Sequence, residues 1–113
     1  MKIKTSEKYE AVIIELKGNV MGGEDTKDFN DLLHKLIDEG KRQIVLDLSD
    51  VKFMNSSGLG MLISGLTTMK KNDGMLKLAG ATEKIESLLI ITKLITIFES
   101  YDSIDEALKS FSN

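Results

Sequence analysis

The residues best suited to chemistry lie in one run, Phe53-Met54-Asn55-Ser56-Ser57-Gly58-Leu59-Gly60. Three polar side chains stand immediately ahead of apolar residues spaced as on a helix, Leu59, Leu62, Ile63, Leu66 and Met69, so the run reads as a loop entering a helix. Two uses of it stay open. Asn55 or Ser56 can accept a hydrogen bond from a free amide of the first turn, worth about 1 kcal/mol, while Gly58 permits close packing. The same geometry places a serine hydroxyl among unpaired N–H groups at the positive end of the helix dipole, where an attached phosphate is stabilised. Ser56 is then a modification site. A nucleophilic serine needs a general base, and the single histidine, His34, falls on the charged side of its own helix beside Lys35.

Other candidate constellations are weaker. Gly18, Gly22 and Gly23 lack the Gly-Lys-Ser/Thr ending of a phosphate loop. Asp47 and Asp50 stand three apart on a strand and the turn after it, with no histidine or further acid beside them, so they read as strand-end acids rather than metal ligands. Glu24, Asp25, Asp28 and Asp31 crowd the start of a helix, where negative charge meets the dipole favourably. The chain has 113 residues, a net charge of −3, no cysteine and one histidine. Disulfides, thiol catalysis and thiolate metal sites are excluded, and histidine-based catalysis and metal triads nearly so. Arg42 is the only arginine, which argues against direct nucleic-acid binding. The longest aliphatic run, Leu88-Leu89-Ile90-Ile91, is far short of the roughly 20 residues that span a bilayer. The expectation is a cytoplasmic binding module with no catalytic residue, no metal, no cofactor and no membrane insertion.

The elements that must position Ser56 follow from changes of hydrophobic period. Residues 1–113 read as one domain without linkers or repeats. Lys2 to Ser6 suits an edge strand, connected through Glu7-Lys8-Tyr9 to a strand over Ala11 to Lys17. A loop from Gly18 through Gly22-Gly23 leads to a helix with Phe29, Leu32, Leu33, Leu36 and Ile37 on one face, stopped at Gly40. Gln43 to Leu48, with Ile44-Val45-Leu46 almost unbroken, has the composition of a central strand covered on both faces. The second helix starts at Asn55-Ser56-Ser57 and ends at Asn72-Asp73-Gly74. A strand over Met75 to Ala79, a Thr82-capped helix containing Ile85, Leu88 and Leu89, and a last strand over Ile95 to Phe98 follow. Ser103 and Glu106 have the capping-box spacing ahead of Ile104, Ala107, Leu108 and Phe111. Strands separated by helices imply an α/β fold: a mixed, mostly parallel sheet with four helices. Ile44, Leu46, Leu62, Leu66 and Leu78 are expected in its core.

Turning Leu59, Leu62, Leu66 and Met69 inward leaves Gly60, Met61, Ser64, Thr67, Thr68 and Lys71 outward. That face is small and nearly uncharged, in keeping with either a contact surface or partial cover by a neighbouring loop. As a contact surface, it would use Asn55, Ser57, Gly58, Gly60, Met61, Ser64 and Thr68 as its partner-binding positions.

Residues 47 to 60, Asp-Leu-Ser-Asp-Val-Lys-Phe-Met-Asn-Ser-Ser-Gly-Leu-Gly, resemble the signature of STAS domains, in particular the bacterial anti-sigma factor antagonists. The resemblance extends over the N-terminal hairpin, the Gly18 and Gly74 turns, and Asp102 to Leu108. It implies a STAS-like domain, with Ser56 at the position that a partner, both anti-sigma factor and serine kinase, phosphorylates. It further implies a switch in which the unmodified protein binds that partner, the phosphoprotein is released, and a PP2C-type phosphatase resets it. Two acids of the family pattern are absent: Asn55 precedes the serine, and Gly18-Asn19-Val20-Met21 replaces Gly-Glu-Leu-Asp. STAS domains also serve as scaffolds and in lipid-transport or other signalling complexes without phosphorylation, which is the alternative role.

Overall fold

Backbone pairing follows the aliphatic strands, and the computed structural model describes residues 1–112. In chain order the elements are β1 (Lys2–Lys8), β2 (Ala11–Val20), α1 (Glu24–Asp38), β3 (Gln43–Met54), α2 (Ser56–Lys71), β4 (Met75–Ala79), α3 (Glu83–Ile91), a short 3-10 turn (Leu94–Thr96), β5 (Ser100–Tyr101) and α4 (Ile104–Ser110). They form one five-stranded sheet in the order β1-β2-β3-β4-β5. The β1–β2 hairpin is antiparallel and every other pairing is parallel. The expected mixed, mostly parallel sheet with four helices is therefore present, with Gln43 to Leu48 in its central strand.

Alternation along the strands divides the side chains between two faces. Ile14, Leu16, Ile44, Leu46, Leu48, Leu76 and Leu78 share a core with Phe29, Leu33, Leu62, Leu66, Met69, Ile85 and Leu89 from α1, α2 and α3. The opposite face presents Ala11, Ile13, Val45 and Ala79 to Ala107 and Leu108 of α4. Three helices thus cover one face and the short α4 covers the other. Lys77 also points toward α4 and is 2% exposed. Its Nζ donates to Ser110 Oγ at 2.6 Å and lies 4.4 Å from the centre of the Phe111 ring and 3.5 Å from Glu99 Oε1.

Several boundaries differ from the expected ones. β1 runs on to Lys8, leaving Tyr9 and Glu10 as the hairpin turn. β2 continues through Gly18, at φ +92°, as far as Val20, and β3 continues to Met54. Irregularities at Glu15/Lys17 and Gly18/Asn19 bend the pair without ending it. The strand expected over Ile95 to Phe98 is absent: Ile95 and Thr96 end the 3-10 turn, Ile97 and Phe98 continue as turn and bend, and β5 is only Ser100–Tyr101. Leu94 and Ile95 pack against the core that buries Phe98, so packing at helical spacing overrides the β propensity of this segment.

Candidate functional site

The extensions of β2 and β3 bring the serine run to one end of the sheet. Val20 pairs with Met54, and Asn55 turns the chain into α2. Asn55 adopts an extended conformation at φ −98° and its Oδ1 accepts from the Gly58 amide at 2.8 Å. Its carbonyl accepts from the Leu59 amide at 2.9 Å. The cap is therefore the asparagine. Ser56 and Ser57 are both exposed in the first turn, and that turn contains no acidic residue.

Two glycines shape this end. A Cβ on Gly58 would stand 2.1 Å from the Val20 carbonyl oxygen and 2.9 Å from Met54 Cγ. Only glycine lets α2 start so close to the end of β2. Gly22, at φ +80°, lies against Ser57, where a Cβ would approach the serine Cβ to 2.6 Å. The loop after β2 thus covers one side of Ser57 and leaves Ser56 on the open side of the turn.

The outer face of α2 differs from the expected one at two positions. Met61 is fully buried because the apolar arc is wider than a single sheet-facing stripe. α1 packs alongside α2 through Gly65, where a Cβ would lie 2.6 Å from Phe29 Cε2, and Met61 shares that edge of the helix. Gly58 is buried as well, so it acts as a packing residue and neither it nor Met61 contributes surface. Gly60, Thr67 and Lys71 remain exposed, Ser64 and Thr68 half-buried and Asn55 half-buried at the cap. Thr68 uses its carbonyl to accept from Asn72 Nδ2 at 2.8 Å.

Two exposed apolar side chains flank the site that sequence reasoning passed over. Phe53 is 40% exposed and Met21 is 45% exposed, one at the end of β3 and the other just beyond β2. Neighbouring strand residues point to opposite faces, and Phe53 faces out beside the buried Met54; with both residues apolar, the sequence carries no signal for which of the two is exposed. Lys84 Nζ, from the first turn of α3, lies 5.3 Å from the centre of the Phe53 ring.

Lys27 and Lys41 have raised pKa values from hydrogen bonds to Asp31 and Glu7, and both lie outside the serine run. Because β3 continues to Met54, Asp47 lies within the strand rather than at its end; it is buried, and its Oδ1 accepts from the Ser49 amide at 3.0 Å. Among the described residues no cluster of three or more His, Cys, Asp or Glu side chains is arranged to hold a metal ion. No helix among them is long and apolar enough to cross a membrane.

The STAS domain profile matches residues 2–107, nearly the full length of the chain. The chain belongs to the STAS domain family. A Thermotoga maritima protein provisionally assigned as an anti-sigma factor antagonist is 33% identical over 75 residues, a stretch covering 66% of each chain. This chain therefore spans just under two thirds of that relative's length. A crystal structure from Thermotoga maritima, of a protein given the same provisional assignment, has a TM-score of 0.88 at 26% identity, covering 98% of this chain and 95% of the other. The Bacillus cell fate determinant SpoIIAA in its phosphorylated form shares the fold, with a TM-score of 0.73 at 17% identity, covering 97% of this chain and 99% of the other. The chain is thus a STAS domain homologous to proteins assigned as anti-sigma factor antagonists.

Proposed function

We propose that this STAS domain is an anti-sigma factor antagonist controlled by phosphorylation of Ser56. The observation that carries the reading is the division of labour at the start of α2. Asn55 supplies the capping oxygen, so Ser56 is exposed and outside the cap. A phosphate on Ser56 adds about −1.5 to −2 charge at a helix N-terminus, where the dipole tolerates it. The fold is retained while the surface presented to a partner changes. Unmodified protein holds an anti-sigma factor that is also a serine kinase; the phosphoprotein lets it go, and a PP2C-type phosphatase restores binding. The names of the relatives support the partner class, and the structure of a phosphorylated protein of the same fold supports the chemistry. Asn55, Ser57, Gly60, Ser64 and Thr68 are the proposed partner contacts around Ser56.

The test is capture of the partner by the tagged chain in source cells, followed by incubation with Mg-ATP and mass mapping. Phosphate on Ser56, loss of binding in Ser56→Asp and retained binding in Ser56→Ala are the expected results. Equal affinity of stably folded Asp and Ala variants overturns the switch. Phosphate on Ser57 instead moves the regulated residue by one position.

A further inference from the structure

The charges around this site are segregated. From Val51 to Asn72 the chain has no aspartate or glutamate and three lysines, Lys52, Lys70 and Lys71. The stretch is +3 within a chain whose net charge is −3, and all three lysines are exposed. It comprises the end of β3 and the whole of α2. None of the three takes part in an ion pair among the described residues. The two lysines at the end of α2 also meet its dipole favourably, but the dipole does not account for Lys52 or for the missing acids. Acids are plentiful on both sides. α1, packed against α2, carries Glu24, Asp25, Asp28, Asp31 and Asp38 with only Lys27 and Lys35, and α3 begins with Glu83, Lys84 and Glu86. Exposed apolar surface lies at the Lys52 end of this acid-free stretch, at Phe53, one residue from Lys52 and beneath the Lys84 ammonium, while Lys70 and Lys71 stand at the opposite end of α2.

We infer that the partner meets this strip with an acidic surface, and that Phe53 anchors the contact. The inference rests on the proposed anti-sigma factor reading for the identity of the partner, and on charge alone for its chemistry. A carboxylate-rich face is attracted along the strip and repelled by α1, so the partner is oriented over α2 and the end of β3. An aromatic ring that becomes fully covered at the centre of such a contact carries a large share of its affinity. Phosphorylation of Ser56 acts on the same balance, because it places about −1.5 to −2 charge within the acid-free stretch. The absence of an acid at position 55 then keeps the unmodified state free of local repulsion toward that partner.

The test uses the partner identified by mass spectrometry and produced as a pure protein. Its association and dissociation rates with the full chain are measured from about 0.02 to 0.5 M salt, a range that shortens the screening length several-fold. The unmodified chain is expected to lose about ten-fold or more in association rate over that range. Lys52→Glu combined with Lys71→Glu is expected to slow association about ten-fold at low salt. The same charge change at exposed Lys2 and Lys4 on β1 is expected to alter it less than about two-fold. Phe53→Ser is expected to raise the dissociation rate about ten-fold or more. Thermal unfolding of each variant, with Lys52→Gln and Lys71→Gln as milder substitutes, separates binding from folding. Association that is indifferent to salt, or slowed equally by the two charge-reversed pairs, overturns the inference even if the partner is an anti-sigma factor. A partner of another class with the expected charge dependence overturns the anti-sigma reading and leaves the acidic docking surface standing. Failure to recover any partner overturns both.

Discussion

Asn55 and Ser56 are adjacent, yet their stability costs are expected to differ. Asn55→Ala removes the oxygen that accepts from the Gly58 amide at 2.8 Å and is expected to cost about 0.5–2 kcal/mol in urea unfolding. Ser56→Ala removes an exposed hydroxyl outside the cap and is expected to stay within about 0.5 kcal/mol of the parent. A larger loss for Ser56→Ala assigns the serine a structural role. Asn55→Asp keeps an accepting oxygen and adds negative charge to the dipole, so it is expected to match or exceed the parent in stability. Type and spacing alone left the cap open between these two residues, because both are good N-caps and one position separates them. Lys77 was illegible for another reason. A lysine in a strand reads as solvent-facing, and its partners Ser110 and Phe111 are remote in sequence. Lys77→Met preserves most of the buried stem and removes the charge, so it is expected to change stability by no more than about 1 kcal/mol. Lys77→Ala opens a cavity and is expected to cost about 2–4 kcal/mol by the same unfolding measurement.

The long periodic segments were the legible elements. α1, α2 and β3 carry enough apolar positions for spacing to specify both type and direction, and Ile44, Leu46, Leu62, Leu66 and Leu78 are all buried as expected. Leu62→Ala is accordingly expected to cost about 2–5 kcal/mol, measured as a shift of the denaturant midpoint. The segment near Ile95 misled because a two-residue edge strand has almost no periodic signature, whereas the β-branched residues before it do. The outer face of α2 was partly misassigned at Met61 because one helix alone does not reveal that α1 lies against its flank. Gly65 was the local clue: a small residue between two apolar turns permits the approach of Phe29 to its backbone.

At the scale of the whole molecule the sheet has two unlike edges. β1 exposes Lys2, Lys4 and Lys8 along a seven-residue strand, while β5 is only two residues long. Charged side chains and short length are two ways of discouraging edge-to-edge pairing. Replacing Lys2 and Lys4 with valine is therefore expected to increase concentration-dependent aggregation in light scattering while leaving the thermal midpoint of the soluble fraction nearly unchanged. Lys2 and Lys4 are not among the proposed partner contacts, so partner binding by that variant, measured below its aggregation threshold, is expected to be intact.

The contact between Gly58 and the Val20 carbonyl also bears on how such domains diverge. Any side chain at position 58 meets backbone 2.1 Å away, so descendants of this gene remain glycine there whether or not they are regulated. Ser56 has no comparable anchor in the packing. On the proposed reading of Ser56, a lineage that loses its kinase is free to drift there while retaining the glycine two positions later. Glycine at that place therefore marks inheritance of the architecture, and, on the proposed reading, the residue two places before it marks whether the signalling circuit was inherited too.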